Sequence, residues 1–316
     1  MANPLNSAQF MRLLDDRLRL VYHDKYKFLP SLVDMLFGMI SSDKAWEEFF
    51  GIGAIPDIVP FSGKIQYLSV SPDFYTRIEP KIFAGGIVIE RGLLDNDRYG
   101  VIKTRQEGLI DAEHRVREKY GVQPFNYAFS SAYNFMPEYE EGLSLCNTAH
   151  LTKADVSTAT GFSNSGTSAL NKTNIGATRL IMRQFRDNIG ERIGDIEPDM
   201  LIVPDALYYS TVEALGYDAD TGAESDMDPD SDKRLINSQY RRFKVVPHRL
   251  LDDTDTNNWF MVDSRKMKEY LLFVNRIAPE IETTRDFETK QFKQSIYTVW
   301  GWGFTDWRWI YGQNVS

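Results

Sequence analysis

The stretch IVPFSGKIQYLSVSPDFYTRIEPKIFAGGIVIE, Ile58 to Glu90, alternates apolar and polar residues at strand period on either side of the turn-forming Ser71, Pro72 and Asp73. This predicts a long antiparallel ribbon. Each arm would reach about 30 Å at roughly 3.3 Å per residue, while Lys64, Gln66, Arg77, Glu79 and Lys81 make the ribbon too polar to be core throughout. A ribbon that cannot bury itself is expected to lie on something else.

The flanking segments change period. DNDRYGVIKTRQEGLIDAEHRVREKYG, Asp95 to Gly121, predicts a helix from Asp95 to Tyr120, capped by Asp95, Asn96 or Asp97 and closed by Gly121. Ile102, Leu109 and Val116 recur seven apart with Tyr99 and Tyr120 at the ends, a narrow apolar seam on an otherwise charged rod. Gly100 and Gly108 weaken that helix and point to close packing by another backbone. On the other side, Phe10, Leu13, Leu14, Arg17, Leu18 and Val21 recur at helical spacing over residues 6–22, and Pro30 and Ser31 open a second helical stretch, Leu32 to Ile40. Their stripes need a partner surface, most simply their own subunit.

Beyond Gly121 come aromatic-rich strands and loops, then a predicted helix from Thr173 to Phe185 with Ile175, Leu180, Ile181, Met182 and Phe185 available for one face. Met200 to Val203 reads as a buried strand running through Pro204 into a helix, so an α/β lobe is expected. Seven carboxylates between Asp218 and Asp232 repel one another and predict an exposed loop. FKVVPHRLL, WFMVD and YLLFVN read as further strands. VWGWGFTDWRWIYG, Val299 to Gly312, holds four of the six tryptophans. Trp300, Trp302 and Phe304 share one face and Trp307, Trp309 and Tyr311 the other register, the pattern of a tight hairpin whose indoles pack in a sheet.

Composition narrows the function. A chain of 316 residues exceeds the roughly 250 to 300 at which one core stops growing, so two lobes are expected. A net charge of −9 argues against a sequence-reading nucleic-acid binder, yet suits a wall to which DNA must not adhere. LVDMLFGMI, Leu32 to Ile40, is shorter than the roughly 20 residues of a span and carries Asp34; charged residues within the first twenty argue against a signal peptide. The single cysteine, Cys146, suits a reducing compartment and reads as a small buried hydrophobe.

No chemistry converges. The four histidines stand apart, outside any zinc spacing, and read as satisfied structural residues. GFSNS at Gly161 lacks the second glycine of a nucleophile elbow, and GIGAIP at Gly51 lacks the third glycine of a dinucleotide fingerprint. Asp226 to Asn237 resembles a calcium loop, but Ser231 replaces its glycine and Asn237 its bidentate glutamate. No catalytic residue, cofactor or metal site is assigned. A carbohydrate or nucleic-acid binding module built on exposed tryptophans is the competing class.

Four ordered segments carry a family resemblance: IFAGGIVIERGLLDNDRYGV (Ile82–Val101), LSLCNTAHL (Leu143–Leu151), ALNKTNIGATRLIMRQFRDNIGERIGDIEPDMLIVPDALYYSTVEAL (Ala169–Leu215) and NNWFMVD (Asn257–Asp263). After about Trp46 the chain resembles the major capsid proteins of tailed bacteriophages, closest to the Mu-like major head subunit family. The resemblance implies an α+β fold of the Hong Kong 97 type: an N-terminal arm (1–56), an E-loop with adjoining strands (57–92), a peripheral-domain spine helix (93–121), an axial domain (122–258) and peripheral C-terminal strands (259–316). It implies a non-enzymatic subunit that assembles as pentamers and hexamers into an icosahedral shell around double-stranded DNA, without sequence-specific contacts and without a membrane. Scaffolding, portal and decoration proteins are the implied partners, with assembly in the bacterial cytoplasm.

Intersubunit contacts are then expected from Lys64, Tyr67, Phe74, Tyr75, Arg77 and Lys81 on the ribbon. A seam of Tyr99, Ile102, Leu109 and Val116 is expected along the spine helix, and aromatic packing from Trp300, Trp302, Trp307 and Trp309, with contact to adjacent capsomers in view. Family chains often begin with a scaffolding segment that a protease removes; this sequence starts at Met1, so cleavage is not expected, and either separate scaffolding or assembly without scaffolding is implied. Some relatives cross-link a lysine to an asparagine of the adjacent subunit; Lys64 or Lys81 are the available lysines, and no partner motif can be assigned. An encapsulin-like compartment holding an enzyme cargo is the alternative from the same fold.

Overall fold

The computed structural model describes residues 31–61, 63–92, 101–130, 138–216, 239 and 242–315. The predicted helix over 6–22, the helix caps at Asp95 to Asp97, Tyr99 and Gly100, and the acidic stretch Asp218 to Asp232 lie outside them, as does the side chain of Ile102.

Among the described residues the strands, in chain order, are β1 (Gly38–Ser41), β2 (Glu47–Ile52), β3 (Pro72–Ile78), β4 (Lys81–Ile89), β5 (Glu138–Tyr139), β6 (Ser165–Gly166), β7 (Met200–Val203), β8 (Lys244–Pro247), β9 (Trp259–Val262), β10 (Leu271–Arg285), β11 (Phe292–Phe304) and β12 (Ile310–Gln313). They form three sheets, ordered β1-β10-β11-β4, β6-β12-β9-β7-β8 and β2-β3-β5. The α+β class is as expected.

The ribbon is built differently from its prediction. Residues 53–71 contain no strand among those described, because Pro56 and Pro60 lack the amide a ladder needs and Gly63 turns the chain at φ 98°. The true hairpin joins β2 to β3, pairing Glu47 with Ile78 and Phe50 with Tyr75, so the expected turn at Ser71 to Asp73 is the foot of a long loop. At Pro80 the chain leaves this small sheet, and β4 pairs antiparallel with β11 in another. The first arm of the predicted ribbon therefore forms no strand among the described residues, and the second is divided between two sheets.

The expected helix from Leu32 to Ile40 also divides. Ser31 Oγ accepts the Asp34 amide at 3.2 Å and starts a helix over Leu32–Leu36. Phe37 is already extended, and Gly38 passes so near the Lys268 carbonyl that no side chain fits, letting β1 pair parallel with β10.

The long helix Val101–Gly121 lies over β4 and β11. Ile110 is buried with Ile296, and Tyr120 meets Phe83 and Trp302 at ring separations of 5.2 and 4.8 Å. Leu109 and Val116, two members of the expected seam, are only half-buried, because the face turned inward also carries Gln106, His114, Arg117 and Glu118. These polar groups are not apolar errors: Glu118 accepts Ser31 Oγ at 2.7 Å, and Arg117 donates to Asp34 at 2.6 Å, fastening the short N-terminal helix. Gly108 faces open space, so it is not the close-packing glycine; Gly121 is, with Val33 occupying the room of a side chain.

The α/β lobe forms around the five-stranded sheet, whose parallel pair β7–β8 sits beside antiparallel β9 and β12, so it is mixed. The helix expected over Thr173 to Phe185 runs from Lys172 to Met182, capped by the Asn171 side chain on the Asn174 amide, and buries Ile175 and Met182 while Leu180 and Ile181 remain exposed. Here β7, β9 and β12 are buried at every position.

The aromatic tail is not a hairpin. Its first half, in β11, pairs with β10, and its second half, in β12, pairs with β9. Residues 305–309 cross from the sheet of β11 to the sheet of β12. Trp300, Trp302, Trp307 and Trp309 belong to one continuous core with Phe125, Phe162, Phe260 and Phe273. Trp309 is fully buried, its indole N–H donating to the Asp306 carbonyl at 2.7 Å.

Trp309→Ala should therefore lower subunit stability by about 3–5 kcal/mol in a denaturant titration, the range for deleting a large buried aromatic. A loss below about 1 kcal/mol would contradict a load shared through this crossing.

Candidate assembly surface

The loop between β2 and β3 concentrates apolar side chains where water meets them. Ile52, which ends β2, is 84 % exposed, and within the loop Ile58 is 91 %, Phe61 76 % and Tyr67 91 %, with Ile55, Val59 and Ile65 standing out beside them. Scattered exposed apolar residues are ordinary; this many in one segment marks an interaction surface. Fully burying each such side chain contributes about 1.5–3 kcal/mol.

The loop's foot is held firmly. Gly53 N donates to the Ser71 carbonyl at 3.0 Å, closing the loop on itself. Asn188, almost wholly buried, accepts the Ala54 amide at 2.7 Å and reaches Ser71 Oγ at 3.4 Å. Any side chain at Gly53 would strike Asn188 and the Ser71 carbonyl, so glycine is required at this throat. Lys153 bridges the Glu140 carboxylate at 2.6 Å and the Asp73 carbonyl at 3.2 Å, while Glu140 also accepts the Tyr75 amide at 2.9 Å. An apolar tip is thus presented on a fixed stalk.

Beneath the stalk lies a buried polar cluster. Arg308 donates to both Asp306 oxygens at 3.1 and 2.9 Å and to the Arg186 carbonyl at 2.8 Å, with Asp73 at 3.9 Å. Burial raises the Asp73 carboxyl above its usual range, opposed by the Arg308 charge. His150 places Nδ1 2.9 Å from Glu141 and Nε2 2.9 Å from Asn164 Oδ1, and stacks on Trp307 with centroids 4.1 Å apart. Burial alone would raise Glu141, but the His150 bond and charge, with the Tyr139 hydroxyl and Leu151 amide, hold it below the ordinary carboxylate value.

A histidine beside a glutamate invites a catalytic reading, yet both side chains are wholly enclosed and every bond stays within the fold. Satisfied networks of this kind fix a unique packing. Burial pushes the Cys146 thiol up, which makes it a poor nucleophile. Among the described residues no group of three or more His, Cys, Asp or Glu is placed to hold a metal ion, and no helix is long and apolar enough to cross a membrane.

The expected contact residues separate into two groups. Lys64 and Tyr67 project from the loop. Phe74, Tyr75 and Arg77 are half-buried on β3 and already engaged: Phe74 with Lys153, Tyr75 with Phe50, and Arg77 with Glu79 at 2.7 Å and the Trp46 ring. Lys81 leans over the Trp302 ring at 5.2 Å. The four tail tryptophans are at most 3 % exposed, so they pack within their own subunit and offer no ring to a neighbour or to a stacked ligand. Ile52, Ile55, Ile58 and Phe61 were not singled out from the sequence, although their crowding between two prolines and three glycines was visible there.

The α+β fold holds an apolar loop outside its own core, a surface of the kind that contacts other molecules. The sequence profile of the phage capsid protein family matches residues 73–312, well over half of the chain, and the chain belongs to that family. It is a capsid protein whose place is the virion shell. Solved capsids share the fold. The mature capsid subunit of bacteriophage PhiM1 superposes with a TM-score of 0.58 at 12 % identity, over 92 % of this chain and 88 % of that one. The capsid of cyanophage P-SCSP1u gives 0.56 at 10 %, over 91 % and 88 %, and the procapsid of bacteriophage JBD30 gives 0.52 at 12 %, over 100 % and 77 %. A comparison with curated protein sequences yields no match.

Gly53→Ala should open the throat: cleavage of the loop by a protease should become several-fold faster, while subunit stability changes by only about 1 kcal/mol, as for local changes away from the core. Unchanged cleavage would show that the Asn188 clamp does not hold the loop.

Proposed function

We propose that this chain is the major head subunit of a tailed bacteriophage, of the Mu-like kind, whose copies gather as pentamers and hexamers and close an icosahedral shell around double-stranded DNA. The observation that carries the reading is the exposed apolar loop on its clamped stalk. A surface of that kind is unfavourable in water and favourable between copies, where symmetry repeats each contact over the whole shell.

In Hong Kong 97 terms, residues 53–71 with β2 and β3 serve as the E-loop, slightly earlier than the expected 57–92. The helix Val101–Gly121 serves as the spine, β4, β10 and β11 as the peripheral sheet, and the five-stranded sheet with its helices as the axial domain. Lys64 and Tyr67 meet the neighbour directly, whereas Phe74, Tyr75, Arg77 and Lys81 stiffen the stalk and its root. The Mu-like assignment rests on the four ordered segments between Ile82 and Asp263. The net charge of −9 fits an inner wall that releases packaged DNA freely. Scaffolding, portal and decoration proteins complete the assembly, and the subunit works without catalysis.

Replacing residues 54–70 by a short Gly-Ser turn should leave a folded subunit with a melting temperature within a few degrees of the original, because the loop contributes little to the core. Electron microscopy should then show no closed particles. Closed shells from that variant would overturn the proposal, and a protein cargo in place of DNA within native particles would favour the encapsulin-like alternative.

A further inference from the structure

The long helix Val101–Gly121 and the strands β4 and β11 do not meet everywhere. Between them lies a groove of about 160 Å³ walled by Phe83, Leu109, Val116, Ile296 and Trp300. Glu113 is set into this apolar wall. Both of its carboxylate oxygens are shielded from solvent and neither has a hydrogen-bond partner among the described residues. Its nearest helical cation, Arg117, is turned to Asp34 at 2.6 Å. Among the described residues Glu113 carries the only ionisable side chain lining the groove: β4 contributes Phe83, Ala84 and Gly85, and β11 contributes Ile296, Thr298 and Trp300, the Thr298 hydroxyl being spent on the Ile277 carbonyl at 3.0 Å. Ala84 and Gly85 leave the strand side of the groove low and exposed.

A shielded carboxyl without a partner is costly, and a fold retains one where a partner arrives from outside. The fitting partner is a long cationic side chain, whose methylene stem suits apolar walls while its head meets the carboxylate. Between Lys44 and Arg77 the chain carries one such residue, Lys64, and it stands exposed on the projecting loop beside Ile65 and Tyr67. Among the described residues no hydrogen-bond partner reaches Glu113, its own Lys64 included.

We infer that, in the assembled shell, Lys64 of one copy enters the groove of a second copy and pairs with Glu113, which rotates toward the mouth to receive it. The inference rests on the shell reading and deepens it by naming the docking site of the loop. It also gives assembly a pH dependence. Burial raises the free Glu113 carboxyl to about 7, against the opposing charge of Arg117, whereas the paired carboxyl stays ionised. The assembled state then binds fewer protons than the free subunit. Association strengthens as pH rises toward about 7, levels off above it, and weakens as pH falls below it.

The test compares the wild-type chain with Lys64→Met, Glu113→Gln and the double variant. The equilibrium concentration for particle formation is measured by light scattering between pH 6 and 8, with circular dichroism of the free subunits as the folding control. Each single variant should weaken assembly about tenfold or more at pH 8. Both should flatten the pH dependence, and the double variant should be no worse than either. Additive losses, or wild-type pH dependence in Lys64→Met, would overturn the pairing while leaving the shell intact. Failure of the wild-type chain to assemble at all would instead count against the shell reading.

Discussion

An apolar surface that its own chain cannot cover is the constraint on which the rest of the structure depends. In residues 53–71 the chain places isoleucines, a phenylalanine and a tyrosine in water, between prolines and glycines that prevent the segment from folding into a sheet. A flexible loop of this composition would collapse onto the nearest core or aggregate. The Gly53, Asn188 and Ser71 contacts, with the Lys153 bridge below them, prevent collapse by fixing both ends of the loop at one place. Presentation of the loop is thereby decoupled from its burial, which awaits a second copy.

A clamped stalk is useful only if the body beneath it is rigid. The crossing at residues 305–309 supplies that rigidity. Trp300 and Trp302 on β11 pack beneath the long helix, Trp307 stacks on His150, and Trp309 lies against Phe125 in the other lobe. Arg308, between the last two, ties Asp306 to Arg186 and approaches Asp73 at the foot of the stalk. The same five residues join both sheets and, through Arg308, lie near the foot of the stalk. Arg308, Asp306, His150 and Glu141 are hydrogen-bonded within the fold, and a satisfied network of this kind specifies one packing arrangement.

Much of this was legible in the sequence. The long helix, the strands Met200–Val203 and Trp259–Val262, the first part of β10 within YLLFVN and the burial of the tail indoles follow from periodicity and from the cost of exposing aromatic rings. Partner choice was not legible. Strand period in Ile58 to Val70 predicted pairing that Pro56 and Pro60 forbid, and alternation in the tail could not reveal that β11 and β12 join different sheets. The short β2, EEFFGI, alternates over too few residues to announce itself. Polar residues on the buried face of the long helix hid its true orientation, since Arg117 and Glu118 find partners some eighty residues away in sequence. Glu113 carries no sequence signal at all; its isolation is a property of the packed groove.

Hydrogen exchange across residues 54–70, compared between free subunits and purified particles, tests the central claim most directly. Burial of the loop on neighbouring copies predicts fast exchange in the free subunit and strong protection in the particle, with little change in the already protected strands β7, β9 and β12. Equal, rapid exchange of the loop in both states would contradict the account.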